Sequence, residues 1–288
     1  MPTESAPTSP DDSALDAPAH VPATLPPAEA VPHTWNVPWG VGRSITVVAL
    51  VWLVFAQVIG GATVTVAALT VFHHPAGMPQ SKVITYVFNH YPIEINLIAY
   101  QFLLLGLIVV GFWLILSRFG VGIKAVGWRP TPPRTLLLAA ASALPILIAA
   151  TLVYSLFNAL FPGLHIQGNE RDLFGSPQNI SAAERIMMVV LAAIEAPLVE
   201  ETLFRGILYQ GLRRYFASRL ADRWAIASAA VTSGALFALI HLEPRTLPML
   251  LVLGIALAYV FERANSLYAS AAVHAIINAL GVIQYLSK

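Results

Sequence analysis

The chain has 288 residues, 57% of them hydrophobic and only 11% charged, with a formal net charge of +1 and a mean hydropathy of +0.70. Soluble domains carry about a quarter charged residues, so this composition excludes an ordinary soluble enzyme; without a dense basic patch to neutralise phosphates it also excludes a nucleic-acid partner. Cysteine is absent, which removes disulfides, thiolate metal ligands, a cysteine nucleophile and prenylation of the chain's own end, Tyr285-Leu286-Ser287-Lys288.

Residues 1–44 hold nine prolines between Pro2 and Pro38 and five acids against one base, Arg43. Proline at this density sustains neither a helix nor a ladder, and the small apolar side chains cannot build a core, so a disordered spacer is expected there. The terminus has neither the positive start nor the early apolar run of a secretory signal. Trp35 and Trp39 precede the first apolar run, where amphipathic rings mark the headgroup level of a bilayer.

Seven apolar segments follow: Ile45 to Phe72, Ile93 to Leu116, Leu136 to Leu160 with Pro145 inside it, Ile186 to Leu208, Ala225 to His241, Leu247 to Phe261 and Leu267 to Leu286. The expected fold is all-α: a polytopic transmembrane bundle of about seven spans, with N-terminal membrane helices over 45–185 and a core carrying the chemistry over 186–288. The sixth segment is the weakest, because about 15 residues rising ~1.5 Å each fall short of a ~30 Å hydrocarbon core. If all seven cross, ten basic residues (Arg43, Arg118, Lys124, Arg129, Arg134, Arg213, Arg214, Arg219, Arg223 and Arg263) share one side, against Lys82, Arg171, Arg185, Arg245 and Lys288 on the other. The positive-inside rule then places the N-terminus in the cytoplasm of a bacterial-type plasma membrane. No internal repeat of the transporter kind is visible.

The fourth segment contains Glu195-Ala196-Pro197-Leu198-Val199-Glu200-Glu201-Thr202-Leu203-Phe204-Arg205-Gly206. An ionised side chain at the centre of a membrane helix costs about 2.5–3.5 kcal/mol, so Glu200, Glu201 and Arg205 together mark a site. Glu201 and Arg205 are four apart with the acid first, the favourable orientation for an ion pair, whereas Glu200 is turned about 100° away. Phe237 and His241 pair in the same i, i+4 way at the end of the fifth segment, and His274 and Asn278 pair within the seventh. Each of these alone fits a capping or helix-linking residue; their joint occurrence points to one polar cavity. Two chemistries suit such a set. Glu200, His241 and His274 could hold Zn²⁺ with an open position for water, or Glu200 could act as general base on water, helped by His241, with His274 and Asn278 donating to the oxyanion.

The ordered triplet Glu-Glu-x-x-x-Arg, Phe-x-x-x-His and His-x-x-x-Asn resembles the CAAX-processing and bacteriocin-processing (CPBP, or Abi) intramembrane proteases, which include the Rce1-type prenyl-protein endopeptidases. The resemblance covers roughly Ile186 to Leu286 and implies an all-helical membrane enzyme with its site in a cavity open to the membrane. By motif position it makes Glu200 the catalytic glutamate, His241, His274 and Asn278 the other polar site residues, and Glu201, Arg205 and Phe237 structural or orienting ones. The family is classed with metalloproteases, although a metal-free glutamate and water mechanism has been argued for it. The absence of a His-Glu-x-x-His helix favours the latter here.

Implied substrates are a membrane protein, a lipidated peptide or a leader peptide, cut near the membrane surface; family resemblance does not fix which. A rhomboid-type serine is disfavoured because Ser233 lacks the glycine two residues before it, an aspartyl dyad because no aspartate lies in the seven segments, and a nucleophile elbow because Gly-x-Ser-x-Gly is missing. The readings of another class are a non-catalytic immunity or scaffold protein and a small proton-coupled transporter relaying through Glu200 and His274.

Overall fold

The computed structural model describes residues 37–162 and 180–287. Most of the proline-rich segment lies outside these residues, as does Trp35. Among the described residues every regular element is a helix. In chain order they are α1 (Val41–Thr70), α2 (Gln80–His90), α3 (Ile93–Ser117), the short α4 (Ile123–Val126), α5 (Pro133–Leu160), α6 (residues 182–217), α7 (Asp222–Ile240), α8 (Leu247–Ala264) and α9 (Leu267–Leu286).

Local chemistry explains the boundaries. Ser181 and Glu184 form a reciprocal capping box that starts α6: the Ser181 hydroxyl accepts from the Glu184 amide at 3.2 Å, and the Ser181 amide donates to the Glu184 carboxylate at 2.7 Å. Ser266 caps α9 by accepting from the Tyr268 amide, while α5 and α8 carry proline in their first turn, where a missing N–H costs nothing. Asn265 ends α8 in the left-handed conformation, a common helix stop.

Six helices, α1, α3, α5, α7, α8 and α9, are long and apolar enough to cross a bilayer. The sixth apolar segment proves longer than its sequence suggests: α8 has 18 residues, about 27 Å of helix. The fourth lies within α6 and is of a different kind. Residues 203–213 of α6 are buried without interruption, including Arg205, Gln210 and Arg213. This stretch is enclosed by the other helices, whereas Ile186, Ile194 and Leu198 in the first half of α6 are exposed. The outer helices turn large apolar side chains outward, among them Leu53 and Val58 of α1, Trp113 of α3 and Leu137, Leu152 and Leu156 of α5. An apolar belt of this extent has lipid as its solvent. The protein is an integral, multi-pass membrane protein with an all-α transmembrane bundle.

One element differs from expectation. The helix α2 was not anticipated; its Val83 and Val87 pack on Val64 and Ala68 of α1 and on Ile95 of α3. Trp39 is fully buried within the protein, and its indole N–H donates to the Ile207 carbonyl of α6 at 3.2 Å. Ser44 donates to the same carbonyl at 2.9 Å, and Arg214 donates to the Val37 carbonyl at 2.7 Å. The start of α1 is thereby fastened along α6.

One end of the bundle gathers the basic residues. Arg43 sits 4.9 Å over the Phe119 ring, Arg129 bonds Asn265, and Arg213 pairs with Glu262 at 3.3 Å and with Asp222. The loop after α3 is folded onto this end: Gln210 donates to the Val126 carbonyl at 2.9 Å, and the Leu267 amide to the Gly127 carbonyl at 2.8 Å.

The tightest crossing is between α7 and α8. A Cβ on Gly254 would stand 2.7 Å from the Gly234 Cα, and one on Gly234 would stand 2.8 Å from the Ile255 amide nitrogen. Small residues at a crossing are how membrane helices gain close backbone contact. Gly254→Val forces backbone against backbone and is expected to destabilise the bundle by about 1–3 kcal/mol. Gly281→Ala on α9, where a Cβ meets nothing within 4 Å, serves as the control. Thermal unfolding in detergent should show a lowered midpoint for the first and none for the second.

Candidate active site

The site is built outward from α6. Glu200 and Glu201 are consecutive and both buried, yet their carboxylates have different surroundings. Glu201 Oε1 lies 2.9 Å from Arg205 Nη1, one turn on, with both side chains fully buried. Arg205 has further partners on two other helices: Nη2 donates to the Gly254 carbonyl of α8 at 3.0 Å, and the guanidinium stands 4.7 Å from the centre of the Phe237 ring of α7. A desolvated guanidinium over a ring face gains from the ring quadrupole. Phe237 in turn packs edge-on against Phe204, with centroids 5.3 Å apart.

Glu200 points elsewhere. Its Oε1 accepts a 2.7 Å hydrogen bond from the Tyr100 hydroxyl of α3, and its Oε2 lies 3.7 Å from His274 Nε2 of α9. The other nitrogen of that imidazole, Nδ1, is 3.1 Å from Glu201 Oε1. A carboxylate paired with arginine can only accept, so His274 Nδ1 carries a proton and Nε2 is the nitrogen turned to Glu200. One imidazole thus links the two glutamates, and both are held by residues of other helices.

His241 follows α7 directly. Its Nδ1 is 2.7 Å from the Phe237 carbonyl one turn back, which fixes that nitrogen as the donor and leaves Nε2 as an acceptor in the neutral ring. The Phe237 ring is flanked by both imidazoles, with centroids 4.8 Å from His241 and 5.9 Å from His274. Asn278 shares α9 with His274, but its amide donates to the Ala192 carbonyl of α6 at 2.8 Å, so one of its two N–H groups is engaged in fastening α9 to α6.

Among the described residues no three His, Cys, Asp or Glu side chains come together as a group that could hold a metal ion. Glu200 and His274 adjoin, but His241 does not complete a three-ligand group with them. The donor set as arranged does not fit a zinc centre of the two-histidine, one-carboxylate kind, which needs three ligands near 2 Å of one point.

Three contacts involve residues before 182 that sequence reasoning passed over. Tyr100 touches Glu200 directly; Gln101, its neighbour, donates to Glu195 at 2.9 Å; and the Trp128 indole donates to the Thr202 hydroxyl at 3.1 Å. The available signal was the set Asn96, Tyr100 and Gln101, polar atoms inside an otherwise apolar run. An isolated hydroxyl in such a run has to find a partner.

Residues 182–280 match the family described as type II CAAX prenyl endopeptidase Rce1-like. The match begins with α6 and ends within α9, so it takes in Glu200, Glu201, Arg205, Phe237, His241, His274 and Asn278 and leaves out α1 to α5. This part of the chain is Rce1-like. No curated protein and no solved structure matches the chain.

The buried ion pair gives a stability prediction. Arg205→Met leaves the Glu201 carboxylate buried without its cation and is expected to cost about 3–5 kcal/mol. The double replacement Arg205→Met with Glu201→Gln should recover part of that loss, since both charges are then gone. Thermal unfolding of the three proteins in detergent measures it.

Proposed function

We propose that the chain is an intramembrane endopeptidase in which Glu200 activates water. The observation that carries this reading is the unequal treatment of the adjacent glutamates: Arg205 forms its ion pair with Glu201, while Glu200 accepts from the Tyr100 hydroxyl and lies 3.7 Å from the His274 imidazole. The Rce1-like region supports a protease of the CAAX-processing type.

In the proposed reaction Glu200 Oε2 accepts a proton from water as its oxygen adds to the carbonyl carbon of the scissile amide. Negative charge gathers on the former carbonyl oxygen, where the second N–H of Asn278 is a candidate donor; with Nδ1–H given to Glu201, His274 joins it through Nε2–H only as the imidazolium. Glu200 then passes its proton to the departing amine nitrogen, the C–N bond breaks, and an acid and an amine leave. His241, with Nδ1 donating to the Phe237 carbonyl, offers Nε2 as an acceptor that orients the water. Every step uses side chains of this protein, and none passes through a metal.

Depth fits a buried peptide bond. Glu200 lies 13 residues along α6 from Arg213, about 20 Å at 1.5 Å per residue, and Arg213 belongs to the basic end of the bundle. By the positive-inside rule that end faces the cytoplasm, with the N-terminus on the same side. The substrates this arrangement suits are membrane-embedded segments, lipidated C-termini or leader peptides, reached from the lipid phase between surrounding helices.

A non-catalytic scaffold is favoured by one observation, the commitment of His241 and Asn278 to backbone carbonyls. Glu200→Gln separates the two readings. It keeps the side chain's shape and an acceptor for Tyr100, so the protein should insert and unfold as wild type does. Cleavage should vanish, as it should in His274→Ala, and comparison of membrane peptides from cells bearing each protein detects this. Unchanged peptide profiles would refute the enzyme. Treatment of the purified wild type with a divalent-metal chelator should leave its rate unchanged, with metal analysis as the companion measurement.

A further inference from the structure

The Tyr100 hydroxyl is one hundred residues from Glu200 in sequence and 2.7 Å from its Oε1 in space. It belongs to α3, outside the Rce1-like match at 182–280, so neither the motifs nor the family comparison gives it a role. We propose that Tyr100 is the positioning residue of the general base: it holds Glu200 Oε1, and so leaves Oε2 as the oxygen that takes the proton from water. This rests on the reading of Glu200 as the base.

Three observations support the assignment. The distance of 2.7 Å is that of a well-formed O–H···O hydrogen bond. Among the described residues Glu200 pairs with no lysine or arginine, so its orientation depends on Tyr100 and His274. Tyr100 bonds Oε1, while His274 Nε2 stands 3.7 Å from Oε2, beyond hydrogen-bond reach, so Oε2 is left open on the α9 side. Glu201, by contrast, is already positioned by Arg205 and His274 without any residue of α3. A carboxylate held by one oxygen presents the other in a single direction, which is what a base needs when its water must also face a carbonyl carbon.

Removing one oxygen atom tests it. Tyr100→Phe keeps the ring and its packing, so the thermal midpoint in detergent should not move. With the peptides whose processing depends on Glu200 as substrates, the reconstituted full chain should show kcat lowered about ten- to a hundredfold, the range expected for loss of a hydrogen bond to a charged group. KM should stay within about twofold, because Tyr100 acts through Glu200 and not on bound substrate.

A second readout does not require turnover. The infrared difference spectrum between wild type and Tyr100→Phe should contain a shifted carboxylate stretch, and that shift should be missing when both proteins also carry Glu200→Gln. A wild-type kcat in Tyr100→Phe, or a carboxylate shift that persists with Glu200→Gln, overturns the proposal. Wild-type cleavage by Glu200→Gln alone would instead overturn the general base itself and with it the kinetic role of Tyr100. In that event the infrared shift still decides the contact.

Discussion

A guanidinium buried in the middle of a lipid-sheathed bundle constrains everything near it. Arg205 is fully buried, so its charge has to be answered by groups of the protein. Glu201 provides the counter-charge from the same helix, the Gly254 carbonyl provides an acceptor from α8, and the Phe237 ring provides a π face from α7. His274 joins through Glu201 and brings in α9. Four helices are thus tied by one cation and its partner. A helix carbonyl has a second lone pair beyond its own ladder bond, but a donor reaches it only where side chains do not cover the backbone. Glycine at 254, facing glycine at 234, gives that exposure and lets α7 and α8 close up at the same point.

The all-round burial of residues 203–213 in α6 extends the same logic toward the basic end. Tyr209, Gln210 and Arg213 follow Arg205 within this stretch, and each is matched by a group on another element. Glu262 takes both the Tyr209 hydroxyl at 2.8 Å and Arg213, Asp222 takes Arg213 as well, and Gln210 bonds the backbone of the loop after α3. The Ile207 carbonyl accepts from Trp39 and Ser44, which joins α1 to the same helix. Burial of polar groups is tolerable only when they are bonded, so these contacts fix the rotation of α6 about its axis. That rotation decides which neighbour Glu200 faces.

Much of this could be read from the chain beforehand, and what could not has a common cause. Apolar length marks the helices, and the i, i+4 spacing of Glu201 and Arg205 announces their contact because both lie on one helix whose geometry is known. The same spacing puts His241 beside Phe237, but it is silent on what the polar tips of His241 and Asn278 meet, since backbone carbonyls such as those of Phe237 and Ala192 look alike in every sequence. Tyr100 was missed because a tyrosine in an apolar run differs from phenylalanine by one oxygen, and its partner lies on another helix with no periodic relation to it. The bond of Trp39 to α6 is likewise invisible in the sequence, because its acceptor is the backbone carbonyl of Ile207, 168 residues away. In the sixth segment, hydropathy ended with Phe261 while the helix continued to Ala264, because Glu262 and Arg263 are polar yet helix-compatible.

The adjacency of the two glutamates has a consequence for where a proton can reside. Residues one apart on a helix diverge by about 100°, too far for both to serve one partner unless that partner stands between them with two faces of its own. An imidazole is such a partner, and His274 presents Nδ1 to Glu201 and Nε2 to Glu200. Since Arg205 makes Glu201 an acceptor only, Nδ1 keeps its proton, and Nε2 is the nitrogen turned to Glu200 Oε2. Tyr100 meets the other oxygen of Glu200 from α3. The arginine one turn later and the histidine from α9 thus give Glu201 its partners, and Glu200 is left with surroundings of a different kind although it is the next residue in the chain.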